Sequence, residues 1–499
     1  MGLHVGRLLT ENARRHGERP ALVDGIAGTV TTFAELDARA ASMAGAIARR
    51  VAPGDRVLLC AESSVDAVAA FFAIVHAGAV VVPVPTAAPP KELAFRAAHA
   101  GARLALVDEH TRSLTAELTC PVMRLEELEG PARRLSESPA GDAMILYTSG
   151  TTGSAKGAVI RHDSLVAHTG ALVHHTLALG PDDVVLGVLP LAHSYGIRMA
   201  ILAPFYAGAR TVFVARHATG GRFDPDRTLD AATAHGVTWL PGVPTMFSAW
   251  GRTEGAPWGE LRWALSAGAP LAEPVRERAE VRLGAPVREG YGLTEATFTA
   301  IDAPAIGESA PGSVGPAVWG VEVRIVAAGE RPHGSELRVG EEGEVQVRGQ
   351  NVMAGYLDDP AATKAAFDRG WLRTGDLGVL DESGRLRIVD RIKDLILRGG
   401  VNVVPAEVEE AVARFPGVRE VAVVGRPDEH VGEELVAVVA ADALDREALA
   451  AHLLEELGHA KRPRELVRVD ALPTGPSGKI LRRTLRDQLV RGELVPERF

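Results

Sequence analysis

The stretch Tyr147-Thr-Ser-Gly-Thr-Thr-Gly-Ser-Ala-Lys-Gly-Ala158 is the most informative part of this chain. Its glycines let backbone N–H groups approach an anion closely, its hydroxyls add donors, and Lys156 supplies a mobile positive charge. The apolar residues 143–146 before it predict a buried strand, so the loop begins at the end of a rigid strand. The stretch therefore predicts a phosphate-binding loop. The residues expected to contact phosphate are Thr148, Ser149, Gly150, Thr151, Thr152, Gly153 and Lys156.

This loop differs from the P-loop of nucleoside triphosphatases. A P-loop requires Gly-x-x-x-x-Gly-Lys-Ser/Thr, but here Lys156 follows Ala155, and Gly157 stands where a hydroxyl would bind magnesium. A surface linker rich in turn formers is the other interpretation. Linkers rarely combine a preceding strand, a central lysine and an apolar exit such as Val159. The favoured hypothesis is a phosphate-binding loop that is not a P-loop.

Length and composition predict a multidomain globular protein. A chain of 499 residues is too long for one hydrophobic core and should form at least two domains. A formal net charge of -10 argues against nucleic-acid binding, which normally requires a basic face. The cysteines, Cys60 and Cys120, lie far apart and lack metal-site spacing, so a reducing cytoplasm is expected.

No membrane span is expected. Residues 1–20 carry several charges and no continuous apolar core, which argues against a secretory signal. The most apolar run, residues 67–85, contains His76 and Gly78 and predicts a buried helix that turns at Gly78 into a strand.

The pattern of apolar runs predicts an α/β fold. From residue 20 to about residue 390, short Val/Ile/Leu runs alternate with Ala-rich amphipathic stretches, which indicates largely parallel sheets. Between about residues 300 and 390, closely spaced strands and Gly-rich turns predict a small antiparallel barrel or sheet. After residue 394, a hairpin and a helix starting at Pro405 begin a small α+β unit.

Six motifs in order resemble those of the adenylate-forming superfamily, which comprises acyl- and aryl-CoA synthetases, adenylation domains of peptide synthetases, and luciferases. The resemblance covers essentially the whole chain. It implies a large amino-terminal domain, residues 1–392, made of two α/β subdomains and a small β-barrel-like subdomain. A small mobile α+β domain, residues 393–499, would follow it. The motifs are residues 147–158, 266–271, 291–295, 374–376, 390–394 and 476–480.

The resemblance assigns roles around the nucleotide. It implies that Tyr291 stacks on adenine beside Gly292, that Thr294 contacts the α-phosphate, and that Glu295 binds Mg²⁺, a task suited to a carboxylate. A glycine turn into a capped helix is the alternative interpretation of this motif. Asp376 would accept hydrogen bonds from the ribose hydroxyls. The other implied nucleotide-binding residues are Gly268, Ala269, Pro270 and Arg391.

The carboxy-terminal motifs imply a catalytic lysine on a domain that rotates. Lys479 would bridge the substrate carboxylate and the phosphate during adenylation, cancelling the repulsion between two anions. Lys393 would be the hinge. After rotation, the hairpin at Gly399 and Gly400 would line the tunnel for an incoming thiol, where residues without side chains leave room.

The acid pocket is expected around residues 189–196. His193 resembles the gate beside the substrate carboxylate, and Ser194 replaces the aspartate that pairs with the ammonium of an α-amino acid, so amino acids are disfavoured. Arg198 would pair with a second anionic group, or it would turn away to bond helix ends. Gly290 stands where malonate-type synthetases carry an arginine, so malonate is not favoured. The expected pocket residues are Ser194, Tyr195, Arg198, Trp239, Val243 and Gly268.

The expected function is ATP-dependent activation of a small carboxylic acid to acyl-AMP, then transfer to a thiol, most simply CoA. A freestanding enzyme that loads a carrier-protein phosphopantetheine and a catalytically silent nucleotide-binding protein are the alternatives. The co-substrates and metal would be ATP, CoA or the carrier protein, and Mg²⁺, and the enzyme would be a monomer or homodimer. Tyr195, Trp239 and Phe247 favour a short or aromatic acid over a long chain.

Overall fold

The structure is a computed structural model that describes residues 3–135, 141–148, 155–214, 223–304, 309–310, 312–329, 335–399, 401–428, 430–441, 443–475 and 478–499. Strands and helices alternate in the first third of the chain. Helices begin where side chains can cap them: Thr32 and Glu35 form a capping box at α2, and Ser64 caps α3. The helices are α1 (Gly6–His16), α2 (Phe33–Ile47), α3 (Val65–His76), α4 (Pro90–His99) and α5 (His162–Leu172). The strands are β1 (Pro20–Asp24), β2 (Val30–Thr32), β3 (Arg56–Cys60), β4 (Val80–Pro83), β5 (Leu104–Val107), β6 (Val122–Arg124), β7 (Asp142–Tyr147) and β8 (Gly157–Arg161).

The second third repeats this alternation, and several of its helices carry proline at the first or second position, which suits the first helical turn. Two π-helical turns, Val173–Leu177 and Arg198–Leu202, extend α5 and α6. The strands are β9 (Val184–Gly187), β10 (Arg210–Phe213), β11 (Trp239–Gly242), β12 (Trp263–Ala267), β13 (Val287–Tyr291) and β14 (Ala300–Ile301). The helices are α6 (Ser194–Ile197), α7 (Ala203–Ala207), α8 (Pro225–Ala234), α9 (Pro244–Trp250) and α10 (Glu273–Leu283).

The next segment is mostly antiparallel. Strands β15, β16, β19 and β18 follow one another in a sheet, and β20 pairs with β19, which agrees with the predicted change of pattern near residue 300. The elements are β15 (Val321–Val326), β16 (Gly343–Gly349), β17 (Gly355–Tyr356), α11 (Pro360–Ala366), β18 (Phe367–Asp368), β19 (Trp371–Leu380) and β20 (Leu386–Arg391).

Two sheets form the α/β part of the amino-terminal unit. One has the order β14-β13-β12-β11-β9-β10-β1-β2, the other β17-β8-β7-β4-β3-β5-β6. Strands β11, β12 and β13 are parallel and in adjacent register, so their carboxyl ends meet at one edge. Loops at the carboxyl ends of parallel strands are where α/β proteins bind ligands. A large hydrophobic cluster joins the sheets, with Leu146 of one and Trp239 and Leu265 of the other among its fully buried members.

The carboxy-terminal unit has its own core, which includes Val423, Leu435 and Leu453. A short 3₁₀ turn, Ile392–Asp394, precedes it, and the boundary that we predicted between residues 392 and 393 lies in this turn. Its sheet has the order β22-β21-β24-β25-β26, with β23 pairing β24. The elements are β21 (Ile396–Arg398), β22 (Val401–Val403), α12 (Pro405–Ala413), β23 (Val418–Asp428), β24 (Gly432–Ala441), α13 (Arg446–Lys461), β25 (Glu465–Val469), α14 (Arg482–Val490) and β26 (Glu497–Arg498).

The predicted α/β class is therefore confirmed, with a large amino-terminal unit and a small α+β unit after it. Within the described ranges, no helix is both long enough and apolar enough to cross a membrane.

Candidate active site

The phosphate loop follows a buried strand, as its sequence predicts, and leads into a second strand that is antiparallel to the first. Tyr147 at the end of β7 pairs with Gly157 at the start of β8, and the N–H of Thr148 donates to the carbonyl of Lys156 at 2.9 Å. This pairing brings both ends of the loop to the same edge. The predicted phosphate contacts Ser149, Gly150, Thr151, Thr152 and Gly153 lie outside the described residues.

Tyr356 is a residue of this site that the sequence analysis missed. Strand β17 pairs with β8, so that Tyr356 lies opposite Ala158, the last residue of the phosphate-loop stretch. The Tyr356 hydroxyl donates to Glu295 Oε1 at 2.8 Å, and Lys156 Nζ lies 5.0 Å from the centre of the Tyr356 ring. Tyr356 thus connects the lysine of one predicted motif to the carboxylate of another.

The predicted ribose and adenine residues are in contact with each other. Tyr291, the last residue of β13, donates its hydroxyl to Asp376 Oδ2 at 2.5 Å, and Arg391 Nε lies 3.0 Å from Asp376 Oδ1. Asp376 and Arg391 are paired across β19 and β20. Burial and the neighbouring Asp376 carboxylate raise the pKa of the Tyr291 phenol, so its hydroxyl remains a donor. The N–H of Asp376 donates to Thr374 Oγ1 at 3.0 Å, which fixes the carboxylate from the backbone side.

The loop after Tyr291 is tightly packed and contains no helix among the described residues, in contrast to the alternative interpretation of this motif. Gly292 is required by space: a β-carbon at this position would lie 2.6 Å from the backbone nitrogen of Phe298. Thr294 and Glu295 are half-buried in this loop, and the carbonyl of Glu295 accepts from the N–H of Met353 at 2.8 Å.

Lys479 reaches from the carboxy-terminal unit into the amino-terminal unit. It lies against Gly268, which follows β12 with a φ of +97°, and a β-carbon there would be 2.9 Å from Lys479 Cε. Burial lowers the pKa of the Lys479 ammonium, Arg391 lowers it further, and Asp376 partly offsets the shift. The sequence-predicted neighbours Ala269 and Pro270 are exposed in the same loop. Lys479, the Gly268 loop and the Asp376–Arg391 pair therefore lie together in one cleft.

The expected acid pocket lies beside this cleft. His193 precedes α6, and the hydroxyl of Tyr195 in α6 donates to the carbonyl of Leu265 in β12 at 2.7 Å. Tyr195 packs edge-on against Phe298, with ring centres 5.2 Å apart. Ser194, at the start of α6, is half-buried. These contacts place one wall of the expected pocket next to the loop that carries Glu295.

The other expected pocket residues lie on β11 and just after it. Trp239 is fully buried at the start of this strand and packs edge-on against Trp263, whereas Val243 follows the end of the strand and precedes α9. Phe247 in α9 lies behind the strand: a β-carbon at Gly242 would be 3.0 Å from its ring. Large aromatic side chains thus fill the space on both sides of β11.

Arg198 is fully buried in the π-helical turn after α6. Its guanidinium donates to the carbonyl of Leu165 at 3.0 Å and to the hydroxyls of Thr169 at 2.7 Å and Thr297 at 2.6 Å. Burial lowers the pKa of the Arg198 guanidinium to about 9. No carboxylate within the described ranges forms an ion pair with it, and its Nε has no hydrogen-bond partner there. Arg198 therefore lies between α5 and the loop after Glu295, bound to neutral acceptors.

The predicted hinge residue Lys393 lies near the Asp376–Arg391 pair, whereas the N–H of Gly399, in the predicted thiol tunnel, donates within its own unit. Lys393 occupies the 3₁₀ turn that joins the units, and burial followed by the Arg391 charge lowers its ammonium pKa. Gly399 is exposed in the turn between β21 and β22, with a φ of +58°, and its N–H donates to the carbonyl of Val431 in the same unit. Gly400 lies outside the described residues. The structure thus brings Lys479, and not this hairpin, to Gly268.

Known proteins resemble this chain over nearly its full length. The model of the AMP-binding enzyme family matches residues 9–357, and that of the AMP-binding enzyme C-terminal domain matches residues 407–479. The sulfoacetate–CoA ligase of Cupriavidus necator is 33% identical, and the match covers 96% of each chain. ATP-bound MatB from Rhodopseudomonas palustris is 32% identical with a TM-score of 0.87, over 98% of this chain and 99% of that one.

O-succinylbenzoate coenzyme A synthetase (MenE) from Bacillus subtilis, in complex with ATP and a magnesium ion, is 29% identical, with a TM-score of 0.84 over 96% of this chain and 99% of that one. The family models span both units in the order of the predicted motifs. The chain therefore belongs to the AMP-binding enzyme family, the adenylate-forming superfamily that its motifs resemble, and its similar relatives are CoA ligases.

Proposed function

We propose that this protein is an AMP-forming acid–CoA ligase that acts on a compact carboxylic acid. ATP and the acid give an acyl adenylate and pyrophosphate, and CoA then gives the thioester and AMP. The observation that carries the proposal is Lys479 lying against Gly268 in a cleft that also holds Asp376 and Arg391. The family and the CoA-ligase relatives agree with the predicted reaction class.

In the first step, a carboxylate oxygen attacks the α-phosphorus of ATP, and the bond from that phosphorus to the bridging oxygen breaks, so pyrophosphate leaves. We propose that Lys479 neutralises the approaching anions and donates hydrogen bonds to both, in a water-poor cleft where such contacts are strong. Tyr291 and Asp376 would hold adenosine, while Thr148 and Lys156 would steady the leaving pyrophosphate. His193 would stand beside the reacting carboxylate.

Glu295 fits the Mg²⁺ that the family implies. Mg²⁺ prefers hard oxygen ligands and commonly uses one or two carboxylates together with substrate phosphates. Among the described residues, no group of three His, Cys, Asp or Glu side chains could form a complete metal site, which agrees with a metal held largely by the nucleotide. Tyr356 occupies Glu295 Oε1 and leaves Oε2 for such a role. When bound, Mg²⁺ would neutralise charge on the phosphates.

In the second step, the CoA sulfur attacks the acyl carbonyl carbon, the thiol proton passes to solvent, and AMP leaves as the acyl–phosphate oxygen bond breaks. We propose that residues 393–499 rotate about Lys393 between the steps, relative to residues 1–392. The rotation would withdraw Lys479 and bring Gly399 and Gly400 to the thiol. A carrier protein as acceptor is not favoured, since the relatives are named for CoA.

The acid pocket favours a short or aromatic acid. Tyr195 and Phe298 close one side, and Trp239, buried with Trp263, fills the space at the start of β11, so a long alkyl chain would require these aromatic contacts to open. The relatives agree with this size, since one is named for sulfoacetate and another for o-succinylbenzoate.

Both of those acids carry a second anionic group, and Arg198 is a candidate to bind one. Burying a guanidinium without a carboxylate partner costs free energy, and an anion bound next to it would offset that cost. The hydroxyls of Thr169 and Thr297 already orient the guanidinium towards the loop after Glu295. We therefore propose that Arg198 favours acids with a second anion.

We also propose a cytoplasmic location and a monomeric or homodimeric state. Cys60 and Cys120 are free thiols, and burial raises the pKa of Cys60 to about 12, which makes it unreactive. Such cysteines suit a reducing compartment. Size-exclusion chromatography with light scattering measures the oligomeric state, and a tetramer or larger assembly would contradict this part of the proposal.

The reaction is tested by incubating the protein with ATP, Mg²⁺ and an acid, with and without CoA. The acids are propionate, succinate, sulfoacetate, benzoate and palmitate. We expect pyrophosphate release with at least one compact acid, equal amounts of AMP and thioester only when CoA is present, and little activity on palmitate. If no compact acid yields pyrophosphate or a thioester, the proposed function is wrong.

A further inference from the structure

Lys479 is held in the cleft by a loop whose backbone meets the amino-terminal unit. The carbonyl oxygen of Gly478, the residue before Lys479, accepts a hydrogen bond from Thr245 Oγ1 at 3.0 Å, across 233 residues of sequence. Thr245 lies in the first turn of α9, immediately after the end of β11. The contact therefore joins the catalytic-lysine loop to the rigid edge where the parallel strands end.

The fit at this contact is close. Gly478 has a φ of +78°, which side chains other than glycine rarely adopt, and a β-carbon there would lie 2.9 Å from Val243 Cγ2 and 3.1 Å from Thr245 Oγ1. On the other side of Lys479, a β-carbon at Gly268 would lie 2.9 Å from its side chain. Lys479 can therefore enter the cleft only if the backbone at Gly478 and at Gly268 lies close to its neighbours.

Charge alone does not hold Lys479 in this position. Desolvation lowers the pKa of its ammonium and the nearby Arg391 repels it, although the residue keeps exposed surface. The attraction to Asp376 does not cancel these effects, since the pKa of Lys479 stays below its usual value. A neutral hydrogen bond to the adjacent carbonyl is then a substantial contribution to keeping the lysine in place.

We infer that Thr245 is a positioning residue for Lys479. Its hydrogen bond favours the position of the carboxy-terminal unit that serves adenylation over the position that serves thioester formation. The inference rests on the proposed two-step function. The hydroxyl of Thr245 fixes the direction of the carbonyl before Lys479, and so fixes where the ammonium points. Rotation of the carboxy-terminal unit breaks this bond, so Thr245 contributes to the first step and not to the second.

The test compares Thr245→Val, which removes the hydroxyl and keeps the shape, with Thr245→Ser, which keeps the hydroxyl. Both half-reactions are measured: single-turnover release of pyrophosphate without CoA, and thioester formation from supplied acyl-AMP and CoA. We expect Thr245→Val to slow pyrophosphate release about 3- to 10-fold, the effect of one lost hydrogen bond. Thioester formation should be unchanged or faster. Thr245→Ser should release pyrophosphate at most of the rate of the unaltered protein.

Three results separate the possibilities. Equal adenylation by Thr245→Val and the unaltered protein overturns the inference. Equal loss in both half-reactions also overturns it, because the residue would then be merely structural. If the unaltered protein releases no pyrophosphate with any acid, the proposed function fails instead. Thermal unfolding of each variant verifies that α9 is intact, and a second variant, Gly478→Ala, should show the same selective loss of adenylation.

Discussion

The phenolic oxygen of Tyr291 lies 2.5 Å from Asp376 Oδ2, and Arg391 approaches the other oxygen of the same carboxylate at 3.0 Å. The contacts hold Asp376 between strands β13 and β20. Both Asp376 oxygens therefore have a fixed direction before any nucleotide binds, and preorganisation of this kind reduces the entropy lost on binding.

Tyr291→Phe should weaken ATP binding more than it slows the chemical step. The variant keeps the aromatic ring that is proposed to stack on adenine, but it removes a hydrogen bond to a buried carboxylate. We expect the KM for ATP to rise about tenfold, the scale of a lost hydrogen bond to a charged group, with little change in kcat. Steady-state kinetics against ATP concentration measures both. A fall in kcat at unchanged KM would contradict a role in binding.

Lys479→Ala should abolish adenylation and spare thioester formation. The variant removes the charge that offsets repulsion between the carboxylate and the α-phosphate, and we expect pyrophosphate release to fall about 10²- to 10³-fold. Supplied acyl-AMP and CoA should react at nearly the rate of the unaltered protein. Exposed Lys91, outside the cleft, gives a matched control as Lys91→Ala. Equal loss of both half-reactions would refute the proposed role of Lys479.

The local parts of this site could be predicted from sequence. Glycines, hydroxyls and a lysine between two strand-like runs define the phosphate loop within twelve consecutive residues, and the hairpin at β21 and β22 is equally local. The family and the α/β class follow from several such motifs in order, and both predictions are confirmed. The roles of individual residues stay predictions.

Contacts between distant segments could not be predicted in this way. Tyr356 and Glu295 are 61 residues apart, and they meet only because β17 pairs with β8. Thr245 and Gly478 are 233 residues apart and meet across the two units. The direction of Arg198 was also left open, because its partners lie on α5 and on the loop after Glu295, and only tertiary packing decides which neighbours a buried guanidinium has.

Gly268→Ala should impair the entry of Lys479. The added β-carbon would lie 2.9 Å from Lys479 Cε, and alanine at a φ of +97° is strained in addition. We expect adenylation to fall at least tenfold and thioester formation from acyl-AMP to fall less. Gly28→Ala separates strain from crowding, because Gly28 has a φ of +72° with nothing within 4 Å. A Gly268→Ala enzyme with normal adenylation would show that Lys479 does not need this space.

Stability should fall in mild acid because three histidines are buried together near α1. Burial first, and neighbouring charges second, lower the pKa of His4 to about 4 and that of His162 to about 3, and burial lowers the pKa of His76. The unfolded chain therefore binds more protons than the folded chain below about pH 6.5. Stability is fully present above that pH and is lost as the pH falls towards 4, by roughly 3 kcal/mol for His4 alone.

The charged groups that face this cluster do not reverse the sign. Arg7 lowers the pKa of His4, Arg134 lowers that of His76, and Asp37 offsets only part of the effect of burial on His76. The free energy of unfolding by urea, measured at pH 7.5, 5.5 and 4.5, tests the prediction. His162→Gln should flatten the acid dependence, whereas His16→Gln, at an exposed histidine, should not. Equal acid dependence in both variants would show that other groups cause the loss.

Arg198→Met should change the preference among acids. The variant keeps much of the bulk and removes the charge, so an acid with a second anion loses a charge-assisted contact that an uncharged acid never makes. We expect kcat/KM for sulfoacetate or succinate to fall about tenfold or more relative to that for benzoate or propionate. Arg210→Met is a control, since Arg210, on β10, donates to the carbonyl of His235 at the end of α8, away from the pocket. If the folded Arg198→Met enzyme loses activity equally on all acids, Arg198 instead holds α5 against the loop after Glu295, through Thr169 and Thr297, and the second anion is recognised elsewhere or not at all.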